Sequence, residues 1–130
     1  MAKIQQFEEL NSWKKGRLLI KEVYQITSAQ PFYKDYALRD QMRRAVISIS
    51  ANIAEGFERG SNKEFIYFLS IAKASCGEVR SLLYPALDLG YIDKSSFHAV
   101  RSLSLDITKL LGGHIKYLKS SNYKGYRKKS

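Results

Sequence analysis

The stretch SISANIAEGFERG, residues 48–60, decides the fold of this chain. Its first residues, Ser48 to Ser50, alternate like a strand, but the apolar residues around them recur at three- and four-residue spacing, which predicts a helix. At about 100° per residue, these apolar positions fall on one face and form a core stripe. The stripe consists of Leu38, Met42, Ala45, Ile49, Ile53 and Gly56. The stretch is therefore the end of a long helix that closes near Gly60.

Two polar residues, Asn52 and Glu55, stand among the small apolar residues of this stretch. Such a pair fits an active site, a structural lock or an interface. Asn52 lies beside the core stripe, so we expect its amide to hydrogen-bond inside the protein, because stranding it would cost about 1–3 kcal/mol. Glu55 has no histidine or metal partner in view, and we assign it to a structural or subunit contact rather than to catalysis.

The same apolar spacing predicts four amphipathic helices in all. Short connections between four such helices predict an all-α, up-down-up-down antiparallel four-helix bundle. The predicted helices cover about residues 12–27, 36–57, 62–89 and 95–118. We assign residues 1–120 to one bundle domain and residues 121–130 to a basic, flexible C-terminal tail.

Small polar residues mark the predicted helix starts, where a side-chain oxygen accepts a hydrogen bond from a free backbone N–H group. Ser12 is the predicted N-cap of helix one. Ser61 or Asn62 caps helix three, and Asp93 or Ser95 caps helix four.

The composition supports a single folded domain. The chain has 130 residues, of which 45% are hydrophobic, enough for one core but not for two. Of its two prolines, Pro85 lies inside helix three, where it should kink the helix. No window approaches a membrane span or a signal-peptide core, so we expect a cytoplasmic protein with no membrane partner.

The residues offer no catalytic constellation. Neither His98 nor His114 has a glutamate three residues before it, as the di-iron sites of bundle proteins require. Cys76, the single cysteine, lies on the core stripe of helix three, and no partner is placed to activate it. We therefore predict no enzyme, no metal and no cofactor.

The net charge of +10 fits a polyanionic partner such as RNA, DNA or an acidic protein surface. Basic residues gather on the non-core faces of helices one and four and in the tail. We predict nucleic-acid contacts at Lys14, Arg17, Lys21, Arg101, Lys109, Lys116, Lys119, Lys124, Arg127, Lys128 and Lys129. Since the first and last helices of such a bundle are neighbours, the two helical stripes can join. The alternative interpretation is a pair of ordinary solvated helix faces.

Helix two carries the predicted helix–helix and subunit contacts. The antiparallel register with helix three predicts a partly buried ion pair between Arg44 and Glu78. On the face away from the core, Ile47, Ala51 and Ala54 are apolar or small, which is typical of close contact with another chain. We therefore expect a homo-oligomer.

The segment QMRRAVISISANIAEGFERGSNKEFIYFLSIAKASCGEV, residues 41–79, resembles the signature of the four-helix-bundle proteins encoded by intervening sequences of bacterial 23S rRNA genes. The matching positions are Gln41, Arg43, Arg44, Ala45, Ser48, Ile49, Asn52, Ile53, Ala54, Glu55, Gly56, Ser61, Glu64, Phe65 and Glu78. Ser50 is a departure, because it stands where the family usually has proline.

The resemblance implies an all-helical bundle that assembles as a ring-like homopentamer. The family is similar to the accessory variability determinant of diversity-generating retroelements, a basic pentamer that binds nucleic acid and a reverse transcriptase. Two hypotheses follow for this chain. The first is a non-enzymatic oligomer that binds structured nucleic acid electrostatically. The second is an oligomeric scaffold or accessory protein with a protein partner, for example a reverse transcriptase.

Overall fold

The computed structural model describes residues 3–121, and four long helices account for most of this range. They are α1 (Asn11–Ser28), α2 (Tyr36–Arg59), α3 (Asn62–Asp88) and α4 (Lys94–Ser120). Two 3-10 turns, Phe7–Glu9 and Phe32–Lys34, precede α1 and α2. Each helix packs on the next, and α4 packs back on α1, which closes the bundle. The predicted all-α four-helix bundle is confirmed.

All four helices contribute to one core. Within the predicted stripe of α2, Met42, Ile49 and Ile53 are fully buried, while Leu38 at its first turn is half-buried. Across from them lie the buried side chains of Leu19 from α1, Phe65, Leu69 and Leu83 from α3, and Ile107 and Leu111 from α4. Burial of each such side chain contributes about 1.5–3 kcal/mol, so this shared core is the main stabilising term.

Side-chain caps begin three of the four helices. Ser61 Oγ accepts a hydrogen bond from the Glu64 N–H at 3.2 Å, and Asp93 Oδ1 accepts one from the Ser96 N–H at 2.8 Å. The structure thus selects Ser61 and Asp93 from the two pairs of predicted caps. Asp35, which the sequence analysis did not single out, caps α2.

The predicted cap of α1 at Ser12 is wrong. α1 begins at Asn11, and its N-cap is Leu10, which has no side-chain acceptor. Ser12 is buried one turn before Gly16 and two turns before Leu19. It therefore belongs to the core-facing stripe of α1, because packing rather than capping decides its position.

The turn between α2 and α3 combines a left-handed residue with a close helix contact. Gly60 ends α2 with φ of 94°, a conformation that favours glycine. One turn earlier, a Cβ atom added to Gly56 would lie 2.7 Å from Phe68 Cβ and 3.0 Å from Phe65 Cδ1. The two helices can approach this closely because Gly56 has no side chain.

Proline and serine do not break the helices that contain them. α3 continues through Pro85 to Asp88, and α2 continues through Ser50. Two residues after the end of α3, Gly90 has φ of 75°, and its N–H donates to the Leu87 carbonyl oxygen at 3.0 Å. No helix within residues 3–121 is long and apolar enough to cross a membrane.

We predict that Gly56→Ala destabilises the protein although alanine is the better helix former. The added methyl group would overlap Phe68, and overpacking of this kind costs about 1–3 kcal/mol, which outweighs the gain in helix propensity of about 1 kcal/mol. Urea unfolding at a fixed protein concentration measures the difference.

The matched control is Gly113→Ala in α4, where an added Cβ meets nothing within 4 Å. This variant should be neutral or more stable than the parent protein. Equal stabilities for the two variants would contradict the assigned role of Gly56.

Candidate nucleic-acid interface

The basic stripe of α1 leads toward a contact with α2. Lys14, Arg17 and Lys21 are exposed. Tyr24 lies two turns after Arg17 on the same column, and its ring packs against the Arg43 guanidinium of α2 at 4.3 Å. The column that contains Arg17 therefore ends against α2.

The basic stripe of α4 borders α3 instead. Arg80 of α3 donates hydrogen bonds from Nη1 to Thr108 Oγ1 at 2.7 Å and to Ser104 Oγ at 3.2 Å. Lys73 of α3 lies beside Gly112, where an added Cβ would be 3.8 Å from Lys73 Cε. These contacts place α3 along the flank of α4 that carries the predicted cations.

That the two basic stripes join stays a prediction. α1 and α4 are neighbours as expected. The described contacts place α3 beside the cations of α4, and the column of Arg17 on α1 leads to Arg43 of α2. The opposite flank of α4 carries Leu110 and Tyr117, which are 36% and 51% exposed. Adjacency of two helices does not decide how each one is rotated about its own axis.

A second basic surface is formed by α3 and α4 together. It consists of Lys73, Arg80, Arg101, Lys109, Lys116 and Lys119, and we call it the α3–α4 basic surface. Sequence reasoning missed the contribution of Lys73 and Arg80. Their spacing of seven residues on one face of α3 was the available signal. Beside this surface, Gly112, Ile115, Lys116, Lys119 and Ser120 line an open cleft.

The predicted contacts of the tail lie outside the described residues. Lys124, Arg127, Lys128 and Lys129 follow residue 121, the last one described. Their part in binding remains a prediction.

Asn52 is engaged in hydrogen bonds, as predicted. Its Nδ2 donates to the carbonyl oxygen of Ser48 at 2.8 Å and to Ser48 Oγ at 2.9 Å. Ser75 Oγ of α3 in turn donates to Ser48 Oγ at 2.9 Å. The asparagine therefore acts through Ser48 as a polar link between α2 and α3.

The direct ion pair predicted between Arg44 and Glu78 is replaced by a bridge through Gln41. Gln41 Nε2 donates to Glu78 Oε2, and Arg44 Nη2 donates to Gln41 Oε1 at 2.9 Å. Arg44 is exposed, whereas Gln41 is half-buried and one turn closer to the start of α2. An amide both accepts and donates, so Gln41 links the two charged groups while the arginine stays in water.

Glu55 forms an intramolecular contact at the α2–α3 turn. Its Oε2 accepts a hydrogen bond from Arg59 Nε at 3.0 Å, and Arg59 Nη1 lies 3.6 Å from Glu64 Oε2. The Arg59 guanidinium also covers the Phe68 ring at 4.9 Å. These groups are about half exposed, so the ion pairs add little stability. Their geometry fits a structural role for Glu55.

The outer face of α2 presents the apolar and small residues that the sequence predicted. Ile47 is 43% exposed, Ala51 is exposed and Ala54 is half-buried. Within the described single chain this face has no covering helix, because the core of the bundle lies on the opposite side of α2.

The side chains of Cys76 and His114, which could support catalysis or metal binding, are used in packing. Burial raises the pKa of the Cys76 thiol to about 11, which keeps it protonated at neutral pH. The His114 ring meets Phe65 edge to face, with ring centroids 4.9 Å apart. Within residues 3–121, no group of three or more His, Cys, Asp or Glu side chains is placed to hold a metal ion.

Comparison with known proteins agrees with this architecture. Residues 8–113 match the model of the 23S rRNA-intervening sequence protein family. The chain belongs to this family. A solved structure similar to it is that of a protein from Bacteroides thetaiotaomicron VPI-5482, described as a protein with unknown function from the S23 ribosomal protein family. The two are 26% identical with a TM-score of 0.74, over 81% of this chain and 95% of the other. A comparison with curated proteins found no match.

α1 and α2 of this 23S rRNA-intervening sequence protein pack closely at Ser50. Ser50 is 8% exposed, and a Cβ added to Gly16 of α1 would lie 2.5 Å from Ser50 Oγ. Because Gly16 lacks a side chain, α1 leaves room for the serine.

We predict that Cys76 does not react with thiol reagents at pH 8 in the folded protein. Its pKa of about 11 leaves little thiolate at this pH, and its side chain is fully buried. A chromogenic disulfide reagent should release one equivalent only after denaturant is added. Rapid labelling in native buffer would show that the thiol is accessible.

Proposed function

We propose that this 23S rRNA-intervening sequence protein is a non-enzymatic, oligomeric bundle that binds structured nucleic acid, RNA or DNA, electrostatically in the cytoplasm. The observation that carries the proposal is the α3–α4 basic surface, where six cationic side chains from two packed helices share one side of the molecule. A phosphate backbone is the partner with matching charge density.

The length of this surface suits several phosphates. From Arg101 to Lys119, α4 rises about 27 Å at 1.5 Å per residue, a length that corresponds to roughly eight nucleotides of one strand at 3.4 Å each. Contacts of this kind hold the backbone without reading the sequence. Recognition would therefore depend on charge and shape.

Arg80 is held by hydrogen bonds to two side chains of α4. Its hydrogen bonds to Ser104 and Thr108 hold the guanidinium in place before any partner arrives. A guanidinium has five N–H donors, so these two bonds through Nη1 leave Nε and Nη2 for phosphate oxygens. Preorganisation of this kind lowers the entropy cost of binding.

Assembly would multiply the effect of one basic surface. We propose that the outer face of α2, with Ile47, Ala51 and Ala54, contacts a second copy, and that the assembly is the homopentamer that the family resemblance implies. Several weak phosphate-binding surfaces on one particle bind a long polyanion far more tightly than one surface does.

A second candidate function is a scaffold or accessory role with a protein partner such as a reverse transcriptase. The exposed apolar residues Leu110 and Tyr117 of α4 favour it, because large apolar side chains at a surface are suited to protein contacts. The two functions are separated by charge reversal, which weakens binding to nucleic acid and spares an apolar contact.

Reversal of two charges on the α3–α4 basic surface tests the first candidate. We expect the variant with Lys109→Glu and Lys116→Glu to bind a short RNA hairpin more weakly. If about five phosphates are contacted, log K for the parent should fall with log salt at a slope of roughly −3.5 to −4.5. For the variant, the magnitude of this slope should be smaller by roughly 1.5, because two phosphate contacts are lost. Fluorescence anisotropy at several salt concentrations measures both.

The control reverses Lys3 and Lys94, which changes the net charge equally but lies outside the surface; Lys94 is about 22 Å from Lys109 along α4. It should bind nearly as well as the parent. Equal losses in both variants, or a salt-independent affinity, would contradict the proposed surface.

A charged side chain on the outer face of α2 should dissociate the oligomer. We expect Ala51→Arg to shift the mass from a multiple of the 14.9 kDa chain, five-fold for a pentamer, to that of the single chain. The reason is that a buried unpaired charge at an interface is strongly unfavourable. Light scattering coupled to gel filtration gives the mass.

Ala74→Arg, at an exposed position of α3, is the matched control and should leave the mass unchanged. A parent protein that is monomeric at micromolar concentration would refute the oligomer altogether.

A further inference from the structure

Three tyrosines and two arginines form a continuous stack where α1 ends and α2 begins. The Arg43 guanidinium lies 4.3 Å from the Tyr24 ring and 5.9 Å from the Tyr33 ring. The Arg39 guanidinium lies 4.6 Å from the Tyr33 ring and 4.8 Å from the Tyr36 ring. Planar groups therefore alternate in the order Tyr24, Arg43, Tyr33, Arg39, Tyr36, and we call this set the tyrosine–arginine ladder.

Hydrogen bonds hold both guanidinium groups of the ladder. Arg43 donates from Nε to Thr27 Oγ1 at 2.9 Å and from Nη2 to Ser28 Oγ at 3.1 Å. Arg39 donates from Nε to Asp40 Oδ1 at 2.7 Å and from Nη1 to the Tyr33 carbonyl oxygen at 3.1 Å. The arrangement is therefore preorganised rather than a chance contact of mobile side chains.

The chain segment that carries the ladder is itself anchored. Phe32, next to Tyr33, is fully buried and stacks on Tyr91 at 5.0 Å. Asp35, next to Tyr36, accepts hydrogen bonds from the Tyr91 hydroxyl at 2.9 Å and from the Leu38 N–H at 3.1 Å. The backbone next to each of the two exposed tyrosines, Tyr33 and Tyr36, is therefore anchored by a contact with Tyr91.

The ladder nevertheless remains open to solvent. Tyr33 is 41% exposed and Tyr36 is 60% exposed, although each packs one side against Arg39. The exposed end of the stack is therefore available to a further planar group.

The basic stripe of α1 leads directly to this ladder. Lys14, Arg17 and Lys21 are exposed on α1, and Tyr24 continues the column of Arg17. From Lys14 to Tyr24 the rise is about 15 Å. A row of cations that ends in stacked aromatic rings is the arrangement that single-stranded nucleic acids favour, with phosphates along the cations and bases on the rings.

We propose that the tyrosine–arginine ladder binds unpaired bases of a single-stranded nucleic-acid segment, whose phosphates follow Lys14, Arg17 and Lys21. The inference rests on the proposed function and narrows it, because it assigns the α1–α2 seam to single strands and leaves paired regions to the α3–α4 basic surface. Unpaired bases stack on exposed aromatic rings such as that of Tyr36, and a duplex offers no unstacked base to do so.

The test compares two probes on the full-length protein. One is a single-stranded oligouridine of about 12 nucleotides that contains 2-aminopurine, and the other is a duplex of the same length. Stacking on the ladder should quench the 2-aminopurine fluorescence. We expect Tyr36→Ala to weaken oligouridine binding roughly 5- to 150-fold, to abolish the quenching and to leave duplex binding unchanged. Tyr36→Phe should restore both signals.

Tyr67→Ala is the matched control, since Tyr67 is 62% exposed on α3 and lies outside the ladder. It should bind both probes like the parent. Equal oligouridine affinity and equal quenching in Tyr36→Ala and Tyr67→Ala would overturn the ladder as a base-binding site while duplex binding still supports the proposed function. An acidic peptide that binds the parent and loses affinity with Tyr36→Ala, in place of oligouridine, would overturn it in favour of a protein contact. Failure of the parent to bind either nucleic acid at low salt would overturn both proposals.

Discussion

The close approach of α2 and α3 at Gly56 is the constraint on which the rest of the structure depends. A glycine at this point lets the backbone of α2 reach Phe68 and Phe65, and Gly60 then turns the chain within a single connection. The same seam continues through the hydroxyl contact of Ser48 with Ser75 and the bond from Gln41 to Glu78. These polar contacts form in only one register of α2 against α3. The packing at Gly56 and the hydrogen bonds therefore select the same register.

Rotation of each helix about its axis then distributes the surface charge. α4 carries its cations on the flank where α3 adds Lys73 and Arg80. The exposed cations of α1 lead to Tyr24, which packs on Arg43 of α2. The molecule therefore has one basic region on α1 and another on α3 and α4. They differ in chemistry, because the region on α1 leads to stacked tyrosines and that on α4 surrounds a cleft with glycine in its wall. Two such regions on one chain suit a partner that contains both single-stranded and paired segments.

The family assignment and the site geometry carry different information. The match over residues 8–113 and the similar solved structure establish the fold and the family. Neither assigns a partner, since the similar structure is described as a protein with unknown function. The function therefore has to be inferred from side chains. The buried thiol of Cys76, the ring of His114 on Phe65 and the carboxylate of Glu55 beside Arg59 all make structural contacts. The exposed cations remain available for contacts with a partner.

The sequence by itself determined the number of helices and the core stripe of α2, and it reduced the caps of α3 and α4 to two candidates each, because periodicity and capping act within a few residues of one chain segment. It also placed Asn52 beside the core. Only the tertiary structure decided that Ser61 and Asp93 are the caps, that Gln41 separates Arg44 from Glu78 and that the ladder joins Tyr24 to Arg43. These features depend on how helices rotate and on which side chains meet across them. Such contacts follow from packing of the whole core, and helical spacing within one segment does not contain them.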